Sequence, residues 1–156
     1  AIAEAVQGMW SANLGVQVKL VNQEFAVVLE TTKSLDTPQI YRAAWCQDYP
    51  DANNFLREVW ASNGANNPVD ASGNPAGGLM WKNADFEDLV SKAAVEQDPA
   101  KRVEMYAQAE EILVKTDAVV LPLYWYTNLD LTKPYITRTF SADSSEAYEK
   151  WDMTAP

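Results

Sequence analysis

Residues 40–56 read Ile40-Tyr41-Arg42-Ala43-Ala44-Trp45-Cys46-Gln47-Asp48-Tyr49-Pro50-Asp51-Ala52-Asn53-Asn54-Phe55-Leu56, and the change of character halfway along decides the fold. The first part, 40–46, is a short and mostly apolar run rich in β-formers, which predicts a buried strand. Asp48, Pro50, Asp51 and the two Asn that follow are turn chemistry. A carboxylate, Asp48, thus stands where a strand leaves a sheet, and in open α/β sheets the strand ends face the binding crevice. The plainer reading, in which Asp48 only caps a turn, stands beside that one.

The flanking segments alternate helix and strand. Ile2, Val6, Met9, Trp10 and Leu14 fall at helical spacing, and Gly15 is placed to end that helix in a left-handed cap. Val16, Val18 and Leu20 then alternate with Gln17, Lys19 and Val21, the pattern of a strand with one buried face. A second helix is expected over 25–33, a loop at 35–38, and a short helix carrying Phe55, Leu56, Val59 and Trp60 after the central strand. Residues 62–78 hold Gly, Asn and Pro in quantity and predict a mobile surface loop. Its Asp70-Ala71-Ser72-Gly73-Asn74 lacks the acidic alternation and terminal Glu of a calcium loop. Asp85 is expected to cap a helix over 85–96, and Asp98-Pro99 to open the next; together they predict an antiparallel pair lying on the sheet face. The apolar run 119–126, broken by Pro122, reads as a strand covered on both faces at an edge or bulge. Alternation sends Tyr124 and Tyr126 to one face and Trp125 to the other. Residues 129–140 read as an irregular extended piece, and Tyr148, Trp151 and Met153 suggest a final strand. This order is an α/β fold, a mixed sheet flanked by helices.

Composition narrows the function. A net charge of −10 argues against nucleic acid, whose phosphates need basic partners. The absence of His removes His-based triads, imidazole metal sites and His acid–base chemistry together. The single Cys46 allows no internal disulfide, and its place in an apolar strand predicts a buried, inert thiol. No apolar run is long enough to span a membrane. The start at Ala1-Ile2-Ala3-Glu4-Ala5, inside a helical pattern, suggests a fragment of a longer protein, with removal of an initiator Met as the alternative. Aromatic residues, a strand-end carboxylate and a nearby Arg42 describe binding better than turnover. A carboxylate holds a cation such as an α-amine, aromatic faces hold apolar groups or sugar rings, and a strand edge pairs with an extended peptide. The acids Asp48 and Asp51 leave carboxylate-based hydrolysis as a rival.

Five pieces in order carry a family resemblance: Met9-Trp10 with Asn13-Leu14-Gly15-Val16-Gln17-Val18; Asn22-Gln23-Glu24-Phe25; Arg42-Ala43-Ala44-Trp45-Cys46-Gln47-Asp48-Tyr49; Asp98-Pro99-Ala100-Lys101-Arg102 through Tyr106-Ala107-Gln108-Ala109-Glu110; and Leu121-Pro122-Leu123-Tyr124-Trp125-Tyr126 with Lys133-Pro134. Over nearly its whole length the chain resembles the C-terminal lobe of the family 5 extracellular solute-binding proteins, the oligopeptide receptors of ABC importers. The resemblance implies a partial lobe of the type II periplasmic-binding class spanning 1–156, with the N-terminal lobe and the first strand of this lobe lying elsewhere. It implies that Asp48 takes a peptide α-ammonium, that the backbone of Ala44, Trp45 and Cys46 pairs with the peptide main chain, and that Arg42 lies near the site. Tyr126 matches a cleft-lining Tyr, and Phe25 falls at a side-chain pocket lined by Trp in some members. The implied partners are a peptide, permease subunits of an ABC transporter and the missing lobe, with no cofactor and no metal. The implied location is periplasmic or extracellular, with lipid anchoring through an upstream segment as an option. Some members take oligosaccharides or nickel complexes instead of peptides.

Overall fold

The computed structural model describes residues 2–127, 129–140 and 147–154. Its centre is a three-helix body: α3 (Ala52–Trp60), α4 (Ala84–Ala93) and α5 (Pro99–Glu111), which continues into a π-helical turn at Ile112–Thr116. Leu56, Ala61, Phe86, Val90, Ala93, Tyr106, Ala109 and Leu113 form its buried core, and Trp60, Trp81 and Leu89 pack partly against it. Phe86, Val90, Ala93 reproduce the helical spacing legible in the sequence, which puts one stripe of α4 inward. Trp81 meets Phe86 edge to face at 4.9 Å, and its indole N–H donates to Asp117 Oδ2 at 2.8 Å. Removing so much apolar surface from water is what holds the three helices together.

Local chemistry sets the helix ends. Asp98 accepts from the amides of Ala100 and Lys101, with Pro99 opening α5 as expected. The cap of α4 is Asn83, two residues before the expected Asp85: Asn83 is extended, and its Oδ1 takes the amides of both Asp85 and Phe86. Asp85 instead sits in the first turn, where the helix dipole favours an acid. The helix α1 (Ile2–Leu14) ends at Gly15, whose φ of 66° is the left-handed cap, and α2 (Phe25–Thr31) is capped by Glu24.

The expected strands are where the sequence reading and the structure part. Residues 16–20, 40–46 and 119–126 are not helical, yet none joins a ladder among the described residues. A strand exists only with a neighbour to complete its hydrogen bonds, and the described residues supply no such neighbour for these three. The only sheet described pairs β1 (Ile136–Thr137) with β2 (Asp152–Met153), antiparallel, in the two extended regions expected near the C-terminus. The α4–α5 pair therefore packs on α3, not on a sheet. The two-sided burial expected for 119–126 is absent as well. Val119 and Val120 touch the core, but from Leu121 onward the apolar side chains are exposed, Trp125 at 83%.

The stretch 62–78 is irregular, as its composition requires, but it is tied down. Asn67 is buried, and its side-chain amide donates to the carbonyls of Trp60 and Trp81. Leu79 N–H returns to Asn66 O, and Gly78 N–H reaches Ser34 O. Gly78 has φ +64° and a side chain there would meet the Asn66 carbonyl, so glycine is required. Among the described residues no helix is long and apolar enough to cross a membrane.

Candidate functional site

The site is built on the N-terminus of α3. Asp51 is extended and caps that helix, its Oδ1 accepting from the Asn53 amide at 2.8 Å. The same oxygen accepts from Arg102 Nη2 on α5 at 2.7 Å. Arg102 also lies 5.2 Å from the centre of the Tyr106 ring, and Tyr106 donates to Asn53 Oδ1 at 3.3 Å. Burial by itself would raise the Asp51 pKa, but the Asn53 amide and the Arg102 guanidinium outweigh it and hold the carboxyl below its ordinary value. Asp51 is thus committed to joining α3 to α5. The rival arrangement, two carboxylates free to share a substrate, requires an Asp51 without those two partners.

One helical position further on lies a residue that the sequence reading passed over. Asn54 is 0% exposed, and its side chain makes four hydrogen bonds. Its Oδ1 accepts from Trp45 Nε1 at 2.8 Å and from the Asp48 backbone N–H at 3.0 Å. Its Nδ2 donates to Asp48 Oδ2 at 3.0 Å and to Glu58 Oε2 at 2.8 Å. A primary amide offers two donors and an acceptor with two lone pairs, so this one is saturated. Its sequence looked like turn chemistry, and the available clue was spacing: an Asn one turn before Glu58 on the same helix face, with Trp45 and Asp48 just upstream.

Asp48 itself is exposed, and among the described residues its second carboxylate oxygen has no hydrogen-bond donor. Trp45 is half-buried beside it. Ala44 and Cys46 are exposed. The buried thiol expected for Cys46 is therefore corrected: among the described residues no neighbouring strand covers this segment, and the side chain is exposed. Residues 43–47 make no backbone–backbone hydrogen bond among the described residues, leaving a run of unpaired amides and carbonyls next to Asp48.

Arg42 joins this segment to the aromatic run. Its Nη2 donates to the Tyr124 hydroxyl at 3.2 Å and to the Tyr126 hydroxyl. The hydrogen bond to Tyr124, with help from Tyr126, raises the guanidinium pKa above its ordinary value. The two Tyr rings stack edge to face at 5.0 Å. Trp125 points the other way and meets Phe55 of α3 at 6.0 Å, again edge on. The alternation read from the sequence therefore holds although the segment is not in a sheet. Phe25 stands apart at the start of α2, 72% exposed, with no ring contact to the others among the described residues.

No family model matches the chain. It is similar to the periplasmic oligopeptide-binding protein OppA of Salmonella typhimurium, 36% identical over 135 residues, which are 86% of this chain and 22% of that protein. It is 38% identical over 127 residues to the oligopeptide-binding protein OppA of Bacillus subtilis, covering 81% of this chain and 21% of the relative. Among solved structures it is similar to the periplasmic murein tripeptide-binding protein MppA in its unliganded open form, with TM-score 0.69 and 31% identity over 87% of this chain and 24% of that one. The likeness to MppA fixes the fold as a partial α/β lobe of a periplasmic binding protein, although the segments expected as strands find no partners among the described residues. The chain spans about a fifth of the length of the relatives it matches. Over most of its length it is thus similar to one part of the oligopeptide-binding solute-binding proteins.

Proposed function

We propose that this chain forms one wall of a peptide-binding cleft in an extracytoplasmic receptor for ABC import. The observation that carries the proposal is the Asp48 carboxylate: exposed, held by Asn54 through one oxygen, and open at the other, in a chain whose relatives are named for binding peptides. Asp48 accepts a charge-assisted hydrogen bond from the peptide α-ammonium. The backbone of Ala44, Trp45 and Cys46, unpaired among the described residues, pairs with the extended peptide main chain, which fixes its direction without reading its side chains. Arg42 with Tyr126, and Phe25 farther off, line the space for side chains and a C-terminal carboxylate. Non-covalent capture needs no nucleophile and no acid–base pair, so the protein acts by binding and not by turnover. The second lobe closes over the ligand, and the closed receptor presents it to the permease subunits.

Calorimetric titration of the full-length gene product with short peptides tests this reading. Asp48→Ala should weaken binding by about 2–5 kcal/mol, the cost of leaving a desolvated ammonium unpaired. Unchanged affinity would remove Asp48 from the site. Binding of oligosaccharides or nickel complexes in place of peptides would move the receptor to another branch of its family.

A further inference from the structure

We propose that Asn54 is the positioning residue of the peptide site: it aims the Asp48 carboxylate at the incoming ligand. The proposal rests on the peptide-capture reading and deepens it. Neither Asp48 nor Trp45 belongs to a helix or a ladder, so nothing in their own backbone fixes them. Both are instead tied to one amide that is fully buried on α3, between Asn53 and the core residues Leu56 and Val59. A carboxylate on an exposed loop samples several rotamers, and a ligand that must select one loses affinity in doing so. The Asn54–Asp48 hydrogen bond removes that freedom before the ligand arrives.

The hydrogen bonds also fix which way the amide faces. Turning it over would set its carbonyl against two carboxylates and its NH2 against two N–H groups, so only one orientation satisfies all four partners. Glu58 matters for the same reason: by occupying the second Nδ2 hydrogen it keeps the amide from swinging away from Asp48. Asp48 Oδ2 is taken up by Asn54, which leaves the other oxygen to meet the ammonium. The geometry is that of a functional group supported by a rigid second residue.

The test uses the full-length gene product and two probes, trialanine with a free amino terminus and N-acetylated trialanine. Their affinity ratio measures recognition of the ammonium alone. Asn54→Ala should reduce that ratio roughly tenfold, the loss expected when a charged hydrogen bond is no longer held in place. Affinity for the acetylated probe should stay within about twofold, which shows that the variant is folded. Asn54→Ser keeps one small donor and should fall between the parent and Asn54→Ala; it also serves if the Ala variant does not fold. Asp48→Ala, measured in parallel, should abolish the preference. A ratio unchanged in Asn54→Ala but lost in Asp48→Ala overturns the positioning role alone. Loss of both affinities in step, or failure of both Asn54 variants to fold, assigns Asn54 to folding only and also overturns it. A parent that does not prefer the free amine sinks the capture reading, and this proposal with it.

Discussion

The three-helix body and the extended segments around it are built from similar apolar residues and have opposite fates. In the body, Phe86 and Val90 are completely buried, and α3, α4 and α5 supply one another's missing contacts. In the segment after Leu121, Leu123, Trp125 and Leu129 face outward, and the backbone has no partner among the described residues. Helices complete their hydrogen bonds within themselves and need neighbours only for side chains, whereas strands need neighbours for both. Apart from Phe25 on α2, the candidate ligand residues lie in the second kind of region. In the proposed binding the body's part is indirect: it holds α3, and α3 holds Asp48 and Trp45 through Asn54.

This contrast can be broken most directly by matched truncations. Phe86→Ala should destabilise the protein by about 3–5 kcal/mol, since it empties the centre of the core. Leu131→Ala trims a fully exposed apolar side chain of the outer segment and should change stability by no more than about 0.5 kcal/mol. Denaturant midpoints of the two variants compare them, and similar losses would mean that the outer segment is packed after all.

The joint between the two regions is sharper to probe at Asp51. Asp51→Ala loses a helix cap, together with a half-exposed ion pair to Arg102, and should cost about 1–2 kcal/mol by the same measurement. The carboxyl pKa is lowered in the folded state, so the folded protein holds on to the ionised form. Its contribution is present above the ordinary carboxylate value and is lost as pH falls through the lower folded value. The parent should therefore lose more stability on acidification than Asp51→Ala. Parallel acid limbs for the two proteins would contradict that. At the weak end, Lys92 pairs with Asp88 across an exposed turn of α4. Lys92→Ala should shift stability by about 0.5 kcal/mol or less, and a larger shift would place that face against something.

What the sequence reveals follows the same division. The left-handed stop at Gly15 and the Asp98-Pro99 start of α5 depend only on neighbours a few residues away, and both are legible. The strands at 16–20, 40–46 and 119–126 depend on partners that local pattern does not name, so extension could be read but pairing could not. Cys46 differs from its expected burial for that reason: burial requires a sheet that the described residues do not form around it. Asp48 is legible as a carboxylate at a change of structure; Arg42 and Tyr126 are named only by the resemblance, and the structure joins those two to each other. Asn54 was hidden because Asp51-Ala52-Asn53-Asn54 reads as turn chemistry, whereas Asp51 alone is the cap and Asn54 points inward to four partners.

The central claim is that Asp48 waits with one oxygen held and one free. A crystal structure of the full-length gene product with a free-amine tripeptide tests it most directly. The account places the peptide ammonium about 2.7–2.9 Å from the Asp48 oxygen that Asn54 does not hold, with the Asn54–Asp48 bond intact and the peptide backbone alongside residues 44–46. A peptide whose amine lies against another group, with Asp48 turned to solvent, would contradict it.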